Sequence, residues 1–97
     1  VVARMEVNPE CMEKLLAVLM AYVPIVLTED GCLRYEPCID ATEETRGKFI
    51  TILESWASEA HLKAHLLTSA LQHFRDDVKD LRHGSDVKLL IPVIMKY

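Results

Sequence analysis

Ninety-seven residues, 51% hydrophobic and 27% charged, are enough for one domain with a single core and too few for two. Eleven Lys and Arg against fifteen Asp and Glu leave a net charge of −4, and the basic residues are scattered, which argues against nucleic acid as the partner. No apolar run approaches the roughly 18 residues of a membrane span, and no membrane partner is expected.

Val1 to Val7 alternates: Val1, Ala3, Met5 and Val7 point one way, Val2, Arg4 and Glu6 the other, as in a strand. Asn8-Pro9 predicts a helix start, with Asn8 as N-cap and Pro9 in the first helical position. Met12, Leu15, Leu16, Leu19, Val23 and Val26 recur at helical spacing, and Pro24 predicts a kink or break. Gly31 is expected to close this region in a left-handed conformation after Asp30. Leu33, Tyr35, Pro37 and Ile39 then alternate with Arg34, Glu36 and Asp40 as a second strand, whose proline suits an edge or a bulge.

Residues 41–47 read as a hairpin loop. Lys48 to Trp56 is a third strand, apolar on both faces, with Phe49 and Leu53 on one and Ile50, Ile52 and Trp56 on the other. Ser58 caps a short helix with Glu59 in its first turn. Ser69 and Gln72 fit a capping box for a further helical segment, through Leu71, Phe74, Val78 and Leu81 to His83-Gly84. Val87 to Met95 is the last strand, again apolar on both faces.

The order is β-α-β-β-α-β with the second helix in two pieces. That predicts an α+β fold over residues 1–97: the ferredoxin-like split βαβ, a four-stranded antiparallel sheet with helices on one face. The other face is expected to show Ile50, Ile52, Leu90 and Ile94 or their neighbours, and an uncovered apolar face calls for a partner. The expected partner is a second copy joined sheet to sheet, with the C-terminal strand reaching across.

Three cysteines, Cys11, Cys32 and Cys38, lack CxxC spacing and suggest reduced thiols in a cytoplasmic protein. On one regular strand Cys32 and Cys38 would share a face about 20 Å apart, too far for a disulfide. No charged-then-apolar segment of signal-peptide type opens the sequence as given.

The chemistry concentrates between Glu54 and His65, where a carboxylate, an indole and two imidazoles lie close along the chain. His61 and His65, four apart, share one helical stripe. Two such histidines suit a metal, but no Glu follows His61 directly and no spacing specifies further ligands, so no metal is expected.

Gly31-Cys32-x-x-Tyr35, Glu54-x-Trp56 and His61-Leu62-x-x-His65-Leu66 resemble the antibiotic-biosynthesis-monooxygenase family, most nearly its bacterial quinol monooxygenase branch. The resemblance runs from the first strand to the last. It implies a homodimeric α+β barrel that oxidises a small aromatic, quinol-like or polyphenolic, with molecular oxygen and no cofactor. Other members degrade haem, isomerise small sugar-derived signals or have no assigned activity. The haem-degrading pattern is not met: Ala3, His65 and Arg75 stand where that branch has Asn, Trp and His.

Cofactor-free oxygenation requires that a substrate hydroxyl be ionised, held and shielded from water. An imidazole suits that proton transfer at neutral pH, and an apolar pocket between sheet and helices suits a flat ring. His65 is the first candidate for base or polar anchor and His61 a supporting catalytic group, against a reading in which His61 only bonds the loop after Trp56. Trp56 and Tyr35 are candidate substrate-binding walls, and Glu54 a carboxylate that orients a neighbour. Each has a plainer reading, as core aromatic, cross-strand packing residue or ion-pair partner. The alternatives are an isomerase of a small carbonyl metabolite on the same scaffold, or a non-catalytic dimeric module that binds a hydrophobic ligand.

Overall fold

The computed structural model describes residues 1–94. Strand β1 (Val2–Val7) leads through a 3-10 turn (Pro9–Cys11) into helix α1 (Met12–Leu27). Strands β2 (Cys32–Ile39) and β3 (Phe49–Trp56) follow, then helices α2 (Glu59–Leu66) and α3 (Ser69–Val78) and strand β4 (Arg82–Lys88). The four strands form one antiparallel sheet in the order β2-β3-β1-β4, the ferredoxin-like α+β arrangement.

Two periodicities meet in the core. Leu15, Leu19, Tyr22, Val23 and Val26 form the buried stripe of α1, and Met5, Val7, Ile50 and Ile52 line the sheet face beneath the helices. Leu71, Phe74 and Val78 close the layer from α3. Each fully buried side chain of this kind contributes about 1.5–3 kcal/mol. Pro24 does not break α1. It lies on the exposed side of the helix, as does Met20, whose carbonyl loses its helical donor and can turn to water.

Local signals at the element ends hold at two places. Ser58 Oγ accepts from His61 N at the start of α2, and Gly31 has φ +77°. Asn8 precedes the first turn, but its side chain makes no capping bond and its Nδ2 contacts the Asp80 carbonyl instead. The cap of α3 falls one residue earlier than expected. Thr68, in an extended conformation, accepts from Leu71 N, and Gln72 turns outward to Asp76.

The sheet corrects three expectations. A bulge between Cys32 and Arg34 adds a residue to β2, so Leu33 is exposed while Tyr35 is buried. The same bulge changes the parity between Cys32, opposite Trp56, and Cys38, opposite Thr51, placing them on opposite faces. All three cysteines are free thiols. The pairing also puts Ile50 and Ile52 under the helices. The open face carries Val2, Phe49 and Leu53 among polar residues, with the Arg4 guanidinium 4.2 Å over the Phe49 ring and bonded to Asp40 and Thr51.

The last strand is not the apolar run. β4 is the polar segment Arg82–Lys88, including His83 and Gly84, because these residues supply the backbone partners of β1. Leu89, Leu90, Ile91, Val93 and Ile94 continue beyond it and are exposed; Met95, the end of the expected strand, lies outside the described residues. No helix among the described residues is long and apolar enough to cross a membrane.

Candidate active site

Three connections converge at one end of the sheet. The turn after α1 delivers Glu29, β2 and β3 bring Tyr35 beside Glu54, and α2 carries His65 down onto them. The Ala57 amide donates to the Gly31 carbonyl at 2.8 Å and ties the turn before β2 to the start of α2.

His65 is 3% exposed, the one buried polar or charged residue among those described. Its Nδ1 lies 2.7 Å from Glu29 Oε1, and Glu29 is itself mostly covered. A carboxylate accepts, so Nδ1 carries the proton in the neutral ring and Nε2 presents its lone pair. Nε2 has no hydrogen-bond partner among the described residues, nor is it among the polar atoms sealed from solvent. Among the described residues, the sealed and unpartnered side-chain atoms are Glu29 Oε2 and the Tyr22 hydroxyl.

Aromatic rings fix this imidazole. Trp56 lies 4.6 Å away, centroid to centroid, and Tyr35 6.0 Å away edge-on; Tyr22 packs edge-on to Tyr35 and stacks on Phe74 at 4.7 Å. Burial, and then the nearby Glu54 charge, pushes the Tyr35 hydroxyl well above its ordinary pKa; burial and Glu29 do the same to Tyr22. Both stay protonated, and Tyr35 can act as a donor rather than a base.

The cavity beside His65 measures about 110 Å³. Tyr35, Glu54, His65, Phe74, Arg75 and Arg82 line it together with apolar residues including Ala3, Met5, Leu62, Leu66 and Leu71. An apolar cavity of about 150 Å³ accepts a benzene ring, so this one is somewhat smaller than a benzene-binding cavity. A larger groove of about 350 Å³ lies between α1 and α3; His73 and Asp77 on its wall are exposed, and Tyr22, also on its wall, is buried and kept protonated, so it offers no base. The chemistry belongs to the smaller space.

The remaining candidates are placed as follows. Tyr35 and Glu54 line the cavity. Trp56 packs on His65 without lining it, and its Nε1 donates to Glu54 Oε1 at 3.0 Å. His61 is not brought to the cavity: Nδ1 sits 2.7 Å from Ser58 Oγ, and Nε2 3.3 Å from Asp30 Oδ2. The expected shared stripe of His61 and His65 therefore diverges, because Gly31 and Asp30 draw one ring outward while Glu29 draws the other in. Among the described residues no three His, Cys, Asp or Glu side chains group around a metal-sized space. Sequence reasoning missed Glu29, which lies 36 residues from its histidine. The Glu-Asp-Gly at the helix exit could have flagged it, but that pattern reads first as a helix stop.

Two consequences can be tested here. A Cβ at Gly31 would overlap the His61 ring, and φ +77° already disfavours any other residue. Gly31→Ala should cost at least about 2 kcal/mol in denaturant unfolding, whereas Gly84→Ala, which meets open space, should change stability by less than about 0.5 kcal/mol.

Glu54 supplies the second. Burial raises its pKa above the ordinary carboxylate value, only partly countered by the Trp56 N–H. A raised carboxyl contributes its full stability below the unfolded value and loses it as pH rises through the folded one. Glu54→Gln keeps an oxygen for Trp56 and removes that loss. Its melting temperature should exceed the parent's at about pH 7 and match it at about pH 4.

Comparison with known proteins agrees with this architecture. The family model described as "Antibiotic biosynthesis monooxygenase" matches residues 1–77. The Escherichia coli (strain K12) protein "Probable quinol monooxygenase YgiN" is 34% identical over 77 residues, 74% of each chain. The structure of Rv0793 from Mycobacterium tuberculosis superposes with a TM-score of 0.83 at 25% identity, covering 99% of this chain and 95% of that one. Protein SO0527 from Shewanella oneidensis gives 0.79 at 28% identity, covering 90% and 82%. On sequence and fold alike, the chain belongs to the antibiotic biosynthesis monooxygenase family.

Proposed function

We propose that the protein oxygenates a quinol-like or polyphenolic aromatic with molecular oxygen and without a bound cofactor. The observation that carries the reading is the Glu29–His65 pair at the wall of a largely apolar cavity of about 110 Å³, with Nε2 left to accept a proton. Family membership and the quinol monooxygenase relative support the reaction class.

The reaction balances as quinol plus dioxygen giving hydroxyquinone plus water. One oxygen atom forms a new bond to a ring carbon and the other leaves as water; of the displaced ring hydrogen and the two hydroxyl protons, two go to that water and one to the new hydroxyl, and the quinol supplies all four electrons. His65 Nε2 takes the first hydroxyl proton, making the ring electron-rich enough to reduce oxygen, and returns a proton to the departing oxygen. Glu29 holds Nδ1–H and stabilises the transient imidazolium. Tyr35 donates to a developing carbonyl oxygen, Trp56 buttresses the imidazole, and the apolar walls exclude water. In this scheme His61 supports the turn that carries Glu29 and takes no proton.

We further infer a homodimer in the cytoplasm. All three helices cover one face of the sheet, leaving Val2, Phe49 and Leu53 half-buried on the other, and the 89–94 segment is exposed. A second copy that covers both fits what is left open. Sedimentation at micromolar concentration should give twice the chain mass.

The functional test is oxygen uptake by chelator-treated protein given a methyl-substituted hydroquinone. One dioxygen should be consumed per quinol, above the spontaneous rate; uptake that requires added metal or flavin contradicts the reading.

A further inference from the structure

We propose that the substrate carries an anionic group, a carboxylate on the phenolic or quinol ring, and that Arg75 and Arg82 bind it while the ring hydroxyl meets His65. This rests on reading the same cavity as the oxygenation site.

The cavity is polarised along β1. At one end Glu54 N donates to the Val1 carbonyl; at the other Arg82 pairs with Val7. Six residues of strand separate these ends, about 20 Å of backbone. His65 belongs to the first end, through its contacts with Trp56 and with Tyr35, the strand partner of Glu54.

The arginines themselves point to an anion. The chain has five. Arg4 is paired with Asp40, Arg34 with Glu36, and Arg46 donates to the Ala41 carbonyl. Among the arginines, Arg75 and Arg82 alone have no hydrogen-bond or ion-pair partner among the described residues, and both line the cavity, from α3 and β4; Arg4 lines it too, but its guanidinium is held by Asp40 and Thr51. Burial, with the charge of Arg75 beside it, pulls Arg82 below the ordinary arginine value. Arg82 is half-buried and Arg75 stands at an exposed helix position; two unpaired guanidiniums beside one cavity repel each other, and a carboxylate between them relieves that repulsion through forked, charge-assisted bonds. Glu54 does not fill that role, since its carboxyl is held at the far end by Trp56.

The test is calorimetric and involves no turnover. 4-Hydroxybenzoate and uncharged 4-hydroxybenzyl alcohol, neither of which consumes oxygen unaided, are titrated into the full chain near neutral pH. The acid should bind at least about tenfold more tightly, the scale of one charge-assisted contact. Arg75→Gln/Arg82→Gln should erase that preference and leave alcohol binding within about threefold. Equal affinities in the parent, no binding of the acid, or a preference that survives the double change overturns the proposal. If the double variant does not fold, Arg75→Gln, at an exposed helix position, must by itself reduce the preference several-fold; no reduction overturns it too. Oxygen uptake is read separately with 2,5-dihydroxybenzoate. Arginine-dependent binding without uptake removes the oxygenase reading and leaves the anion site standing; uptake with neutral quinols and no acid preference does the reverse.

Discussion

His65→Asn should lower quinol-dependent oxygen uptake by about 10²- to 10⁴-fold, the usual contribution of a positioned general base. The amide fits the space of the ring and can still reach Glu29 Oε1 from the δ position, so packing against Trp56 and Tyr35 is largely kept. What disappears is the acceptor at Nε2. Oxygen electrodes on parent and variant, with thermal melts beside them, check this. A variant that folds and turns over at the parental rate assigns the base elsewhere, whether or not the protein is an oxygenase.

Glu29→Gln should cost about 10²-fold in kcat with little change in KM. The carboxylate can only accept, so it fixes the proton on Nδ1; an amide can turn its NH2 to that nitrogen and move the proton to Nε2, where it blocks the base. Loss of an orienting carboxylate costs about 10⁴-fold in the serine-protease template. A smaller loss is expected here, since a phenolic proton is easier to remove than that of an aliphatic hydroxyl. Nitrogen NMR of the histidine rings distinguishes a positioning role from a structural one: the parent should show Nδ1–H at His65, the variant a mixture. If the tautomer is unchanged and activity falls only in step with stability, Glu29 is a packing residue.

The fold was legible from most of its local signals, though not all: Asn8 makes no side-chain cap, and Thr68 takes the capping place read for Ser69. Ser58 before a helix, Gly31 after one, and the alternation of Val1 to Val7 each involve only neighbours in sequence, and each reads correctly. What failed in the sheet depended on partners. The bulge at Cys32/Arg34 moves Leu33 to solvent, although period-two reading pairs it with Tyr35. β4 is chosen by backbone pairing with β1, so polar Arg82–Lys88 takes the strand and the more apolar 89–94 does not. The site follows the same division. His65, Tyr35 and Glu54 could be nominated from residue type, and the structure brings them together. Glu29 could not, because its bond to His65 closes a 36-residue separation, and His61, nominated by its spacing and its place in the resembling motif, turns outward.

The fate of the two atoms of dioxygen tests the central claim most directly. Chelator-treated protein is given a quinol under oxygen labelled with the heavy isotope, and the product is examined by mass spectrometry. Oxygenation at His65 predicts one labelled atom in the hydroxyquinone, the other in water, and no hydrogen peroxide. An unlabelled quinone with stoichiometric peroxide, or the same labelled yield from His65→Asn, would contradict it.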